Sequence, residues 1–252
     1  MMLFDTHCHL AMDDFANDLD DVVLRAKQSG VFMLTVGTSP EDWQKSVDIK
    51  IKYEIPTALG FSTHDAKYLN KETLSLFTNL LKIGEPCAIG ETGLDYHYFI
   101  SSKEEQKAAF EKHIEIAEER TLPLIIHSRD SFEDTLSILK SVKVPVVIHC
   151  FTYGPYEAEK FLENGFYVSF SGIATFKNAE KVREAAKIVP DDKILVETDS
   201  PYLAPLPFRG KRCEPLFVKQ TALFLAKYLN KDENLFFQQT LNNGLKFFNL
   251  KK

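Results

Sequence analysis

The chain has 252 residues, 44% of them hydrophobic, and a formal net charge of −6. That size allows a substantial core in one domain, and no apolar run reaches the length needed to span a membrane. The mildly acidic balance shows no basic footprint for nucleic acid, although bound cations supply local positive charge that a whole-chain sum misses.

The start, Met1-Met2-Leu3-Phe4-Asp5, lacks the basic stretch and long apolar core of a signal peptide. No linker, repeat or composition shift divides the chain, so a single domain over 1–252 is expected, with the cytoplasm as its default location. Cys8, Cys87, Cys150 and Cys213 form no Cys-x-x-Cys pair and read as reduced thiols. Strand signals fall at 3–6, 32–36, 55–59, 86–89, 123–126, 144–148, 167–170 and 194–196. Helical patterns lie between them at 13–28, 41–53, 71–82, 103–120, 131–140, 156–164 and 179–189, and two more close the chain at 214–229 and 233–248. In helix 103–120, Ala109, Phe110, His113, Ile114 and Ala117 form one stripe. Ser102 and Glu105 have the spacing of a capping box at its start.

Eight strand signals alternating with helices argue for parallel βαβ units, and eight such units in this length match an α/β fold of the (β/α)8 TIM-barrel type. An open doubly wound sheet is the rival. The barrel makes a sharp demand: catalytic groups belong at the C-terminal ends of strands. His7 and His9 fall at the end of strand one and share a face, because strand residues two apart point the same way. His64 follows strand three, Glu91 and Asp95 strand four, His127 and Arg129 strand five, His149 strand six, and Glu197, Asp199 and Tyr202 strand eight. Neutral imidazoles and carboxylates in such a cluster are divalent-metal ligands. Asp5 shares the face of the histidine pair and is read as orienting the ligands rather than binding the ion. Glu197 is either a buried orienting acid or part of the substrate floor.

At this point the chain closely resembles the TatD family of metal-dependent hydrolases, within the amidohydrolase-like superfamily. The matching stretches are DTHCHL (5–10), GETGLDY (90–96), IIHSRD (125–130), IHCF (148–151), ETDSPYLAP (197–205), RGKR-x-EP (209–215) and NNGLKFF (242–248), spread over essentially the whole sequence. The resemblance implies two divalent metals, with His7, His9 and Asp199 on the first, His127 and His149 on the second, and Glu91 bridging both. Zinc suits the donor set best, with manganese, nickel or magnesium also possible. The resemblance further implies a deoxyribonuclease, with DNA as substrate and Asp199 and Glu91 as its catalytic carboxylates; two ions about 3.5–4 Å apart can share a hydroxide and clamp a phosphoryl group. Substrate contacts are expected from His64, Arg129, Tyr202 and Arg209, and base stacking from Tyr202, Tyr96 or Phe151. Arg129 fits a salt bridge with Asp130 equally well, and a solvated loop explains Arg209, Lys211 and Arg212 by default.

Two positions depart from the family pattern. Ser62 stands where a Gly-x-His-Pro-His stretch carries its first histidine, and Cys213 where an asparagine is usual. Both put substrate preference in doubt. The alternative function is hydrolysis of a carboxylic ester, amide or lactone, including an aminoacyl-tRNA ester, on the same scaffold. A barrel that has lost turnover and acts as a binding partner is a third reading, opposed by the intact six-ligand set.

Overall fold

A computed structural model describes residues 2–251. Its strands are β1 Leu3–Cys8, β2 Val31–Gly37, β3 Thr57–Leu59, β4 Ala88–Asp95, β5 Leu124–Arg129, β6 Val146–Ile148, β7 Tyr167–Phe170 and β8 Ile194–Val196. Its helices are α1 Leu19–Gln28, α2 Trp43–Tyr53, α3 Lys71–Gly84, α4 Lys103–Arg120, α5 Phe132–Leu139, α6 Pro155–Glu163, α7 Glu180–Ile188, α8 Val218–Tyr228 and α9 Glu233–Phe247. The strands lie in one sheet in chain order, β1 to β8. Pairings β2–β3, β3–β4, β4–β5, β5–β6 and β7–β8 are parallel. A parallel bridge between Cys8 and Ser200 joins the end of β1 to the segment beyond β8. Chain order that closes on itself is a (β/α)8 barrel and excludes the doubly wound sheet, whose strand order reverses at a switch point. No helix among the described residues is long and apolar enough to cross a membrane.

Contacts group the chain into two units, one running to Leu34 and resuming at Cys150, the other Thr35–His149. In the first unit, α9 lies beside β1 and β8. Phe4 meets Phe248 with ring centroids 5.9 Å apart, and Asn243 Nδ2 donates to the carbonyls of Asp191 (2.7 Å) and Ile194 (2.8 Å). The closing NNGLKFF stretch therefore pins the start of β8. In the second unit, Trp43, Phe61 and Phe77 pack ring to ring, and Trp43 Nε1 donates to Gly60 O at 2.7 Å. His113, on the buried face of α4, accepts the Phe61 N–H through Nε2 (2.9 Å) and donates through Nδ1 to Ala109 O (2.6 Å). Burial holds this imidazole down to about 4, and the Ala109 bond only partly opposes that, so the ring is a neutral core group that fixes the turn after β3.

Several element boundaries differ from the sequence reading, for identifiable reasons. β4 continues to Asp95 instead of stopping near residue 89, because it pairs with β5 through Thr92–Ile126, Gly93–His127, Leu94–Ser128 and Asp95–Arg129. The pattern at 13–28 splits into a short 3-10 turn at Asp13–Phe15 and α1. Pro215 opens another 3-10 turn, Pro215–Phe217, so α8 begins at Val218 instead of residue 214. The capping box of α4 is present: Ser102 Oγ accepts the Glu105 N–H at 3.2 Å and Glu105 Oε2 accepts the Ser102 N–H at 2.7 Å. Ile116 is buried on that helix, while Ile114 is only partly covered.

Candidate metal centre

In the first unit three ligand-type atoms converge. His7 Nε2 and His9 Nε2 are 3.2 Å apart, and Asp199 Oδ1 lies 3.8 Å from His7 Nε2 and 3.3 Å from His9 Nε2. Ligands about 2.1 Å from a tetrahedral ion sit about 3.4 Å from one another, so this spacing fits a shared cation. Backbone pairing sets it: the Asp199 N–H donates to His7 O (2.9 Å) and the His9 N–H to Ser200 O (2.8 Å). Asp199 sits at φ 58°, which turns its side chain out of the strand path.

Asp5 braces this arrangement from below. Its fully buried carboxylate accepts the Thr198 N–H (2.7 Å) and the Thr198 hydroxyl (2.6 Å). Burial pushes its pKa well up, against the pull of the two Thr198 bonds. Asp5 thus ties β1 to the residue next to Asp199. Glu197, also buried, accepts the Cys150 N–H at 2.6 Å and holds the chain just past His149.

The second unit carries the other set. Glu91 Oε1 lies 3.0 Å from His127 Nδ1 and 3.1 Å from His149 Nε2, and the three residues present ligand atoms within 4.8 Å of one another. The β4–β5 register shifts between Ile89 and Thr92, a bulge that re-aims Glu91. Gly90 and Gly93 make the close approach possible. Their φ values are 143° and 139°, and a Cβ on Gly93 would stand 2.0 Å from His127 O.

Asp95 completes the set. Glu91 and Asp95 grip opposite ring nitrogens of His127, since His127 Nε2 lies 3.1 Å from Asp95 Oδ2. Asp95 Oδ1 also accepts the N–H groups of His97 (2.8 Å) and Tyr98 (3.1 Å). Burial raises its pKa, but the His127 bond and charge and the two backbone donors overcome this and bring it to about 2. An ionised carboxylate only accepts, so Nε2 donates to Asp95, and Nδ1 is the ring nitrogen that faces Glu91. The desolvation that lowers the His127 pKa is likewise outweighed by Asp95 and Glu91, and the net shift is upward. Gln106 clamps the Asp95 backbone at both ends, accepting its N–H at 2.7 Å and donating to its carbonyl at 3.0 Å. The sequence signal for Asp95 is its period-two relation to Glu91 across Gly93.

Both donor sets, imidazoles with carboxylates and no thiolate, fit zinc or a similar divalent ion. The cysteines are all free, and Cys8 points away from the ligands, its thiol donating to Leu34 O at 3.2 Å. Cys213 is fully buried, a packing residue.

His64 turns its ring edge to Tyr98 at 5.7 Å, and Arg129 lies over the same tyrosine at 4.7 Å. Asp130 pairs with His97 Nδ1 (3.2 Å), not with Arg129. Ser62 donates to Asp65 at 2.7 Å. Tyr202 is exposed, and Arg209 lies over the Phe176 ring at 4.3 Å. Arg212 forks onto Asp18 at 2.8 and 2.6 Å and reaches Glu214 at 3.2 Å, so it is a structural ion pair and not a solvated loop cation. Phe151 is 1% exposed, packed against Tyr153, Phe161 and Phe170, and cannot stack on a base.

Residues 4–249 match the model of the TatD-related DNase family. The chain is 41% identical over 231 residues to YabD of Bacillus subtilis, named an uncharacterized metal-dependent hydrolase, covering 90% of this chain and 91% of that one. It is 32% identical over 260 residues to a protein of Erwinia tasmaniensis named the 3'-5' ssDNA/RNA exonuclease TatD, with 98% and 100% covered. The crystal structure of YjjV, a TatD homologue from Escherichia coli K12, superposes with a TM-score of 0.92 at 25% identity over 99% of this chain and 98% of that one. The chain belongs to the TatD-related DNase family and is a metal-dependent hydrolase.

Proposed function

We propose that the protein hydrolyses phosphodiester bonds in single-stranded DNA at a dinuclear metal centre. His7, His9 and Asp199 would hold one divalent ion and His127 and His149 the other, with Glu91 available to both. The observation that carries this reading is the pair of converging donor sets, each with imidazole nitrogens and a carboxylate oxygen at ligand spacing. The family and the name of the Erwinia relative support the substrate class. Zinc suits four imidazoles and two carboxylates; manganese, nickel or magnesium would take the site where they are more available. Once bound, the ions supply positive charge opposite a phosphate and acidify water.

The chain's own residues do the rest. Asp199 is the member of its set that meets solvent, its side chain 15% exposed beside histidines at 0% and 5%, so it would be the group placed to accept a proton from an attacking water. Asp95 holds the His127 ring so that Nδ1 keeps its lone pair inward. Arg129, two residues past His127, offers its guanidinium to a phosphate, and His64, Tyr202 and Arg209 are further substrate contacts. Ser62 is engaged by Asp65 and supplies no acid–base group in place of the family's histidine, which narrows the range of phosphodiesters cleaved efficiently. The free thiols and the absence of a membrane-spanning helix among the described residues fit a cytoplasmic enzyme.

The test is incubation of metal-loaded protein with single-stranded DNA, a chromogenic phosphodiester and a carboxylic ester. DNA cleavage that disappears with chelator is expected. Turnover of the ester with inert DNA would overturn the substrate class in favour of an ester or lactone hydrolase.

A further inference from the structure

The loop after β4 carries three exposed apolar residues in a row, Tyr98, Phe99 and Ile100, at 55%, 56% and 50% exposure. A loop tip that leaves two aromatic rings in water needs an account, because such rings usually pack. These rings are also held in place. The Tyr98 N–H is bonded to Asp95, the carboxylate that orients His127. The Tyr98 ring is met edge-on by His97 at 4.8 Å and by His64 at 5.7 Å. Phe99 lies parallel to Tyr96, with an interplanar angle of 8°. Cations lie over these rings: Arg129 is 4.7 Å from the Tyr98 centroid, and Lys103 is 3.9 Å from that of Tyr96 and 5.9 Å from that of Phe99.

We infer that Tyr98 and Phe99 form a stacking platform for the bases next to the scissile phosphate, with Arg129 and Lys103 facing the strand's backbone. Aromatic faces beside cations are the pattern that binds single strands without reading sequence. Charge complementarity chooses this occupant: a polyanion satisfies Arg129 and Lys103, whereas an apolar partner would bury them. The platform selects single strands, because paired bases offer no open face. Tyr96, which the sequence nominates for stacking, serves as support instead, its hydroxyl bonded to Asp134 at 2.6 Å.

This inference rests on the proposed nucleic-acid substrate, and its test separates the two. Binding is read by fluorescence anisotropy with a short labelled oligothymidylate whose phosphorothioate backbone resists cleavage, beside an abasic strand of equal length. Phe99→Ala and Tyr98→Ala are each expected to weaken binding of the base-bearing strand about tenfold and to leave the abasic strand unchanged. Phe99→Trp should restore the affinity, and unchanged thermal midpoints would show intact folds. Equal weakening of both strands, or no weakening of either, would overturn the platform while leaving nucleic-acid binding in place. A wild-type protein that binds neither strand would overturn the substrate class and the platform with it. Concentration-dependent self-association abolished by the same substitutions would assign the surface to a second copy and overturn the platform.

Discussion

Replacing Asp95 with asparagine changes one atom, yet it should impair the second metal site. Asp95 Oδ1 receives the N–H groups of His97 and Tyr98, and Oδ2 receives His127 Nε2. In Asp95→Asn the remaining oxygen stays with the two backbone donors, so an N–H2 group faces Nε2. Two donors cannot share a hydrogen bond, so Nε2 must become the acceptor and the proton moves to Nδ1. That nitrogen then has no lone pair for a metal. Losing an orienting partner of a ligand histidine costs about 10–100-fold in metal affinity, or about 1.4–2.7 kcal/mol. Competition titration against a chromophoric chelator measures it, on wild type and variant at one pH. The expected result is one unchanged and one weakened binding step. Two steps identical to wild type would refute the claim that Asp95 sets the His127 tautomer.

Three further outcomes follow from the geometry. His113 has its pKa held to about 4, against 6.5 when unfolded, so the unfolded chain binds the extra proton in that window. Its contribution is fully present above pH 6.5 and is lost as pH falls toward 4, about 3 kcal/mol in all; denaturant unfolding across this range should show a pH slope that His113→Gln reduces. Gly93→Ala would drive a Cβ against His127 O at a φ of 139°, so a loss of roughly 3 kcal/mol is expected in chemical denaturation, together with weaker binding at the second metal site. Arg212→Ala should leave oligonucleotide affinity unchanged in anisotropy, because Asp18 and Glu214 occupy the guanidinium; a marked loss would show that it contacts phosphate.

The barrel was legible because strand-length apolar runs alternate with amphipathic helices, and the closed order confirms that reading. The positions of His7 and His9 were legible because period two is a local rule. Glu91 was only half legible. Its type pointed to a metal, but its aim depends on a bulge that local pattern does not reveal, in a stretch read as loop. Asp95 needed cross-strand register, since its partner His127 is a strand away. Aromatic exposure was the least legible. Phe151 and Phe99 look alike as letters beside motif residues, yet one is packed among three rings and the other stands in water at φ 51°. Arg212 shows the same limit, because its partner Asp18 is distant in sequence.

The central proposal is that the chain takes two divalent ions and that Glu91 is a ligand to both. Metal content of the purified, metal-loaded protein by mass spectrometry tests it most directly, with Glu91→Ala measured in parallel. The account predicts two divalent ions per chain in the wild type and loss from both positions in the variant, because one carboxylate serves both. A wild type that holds no ion after titration, or a Glu91→Ala variant that keeps both, would contradict it.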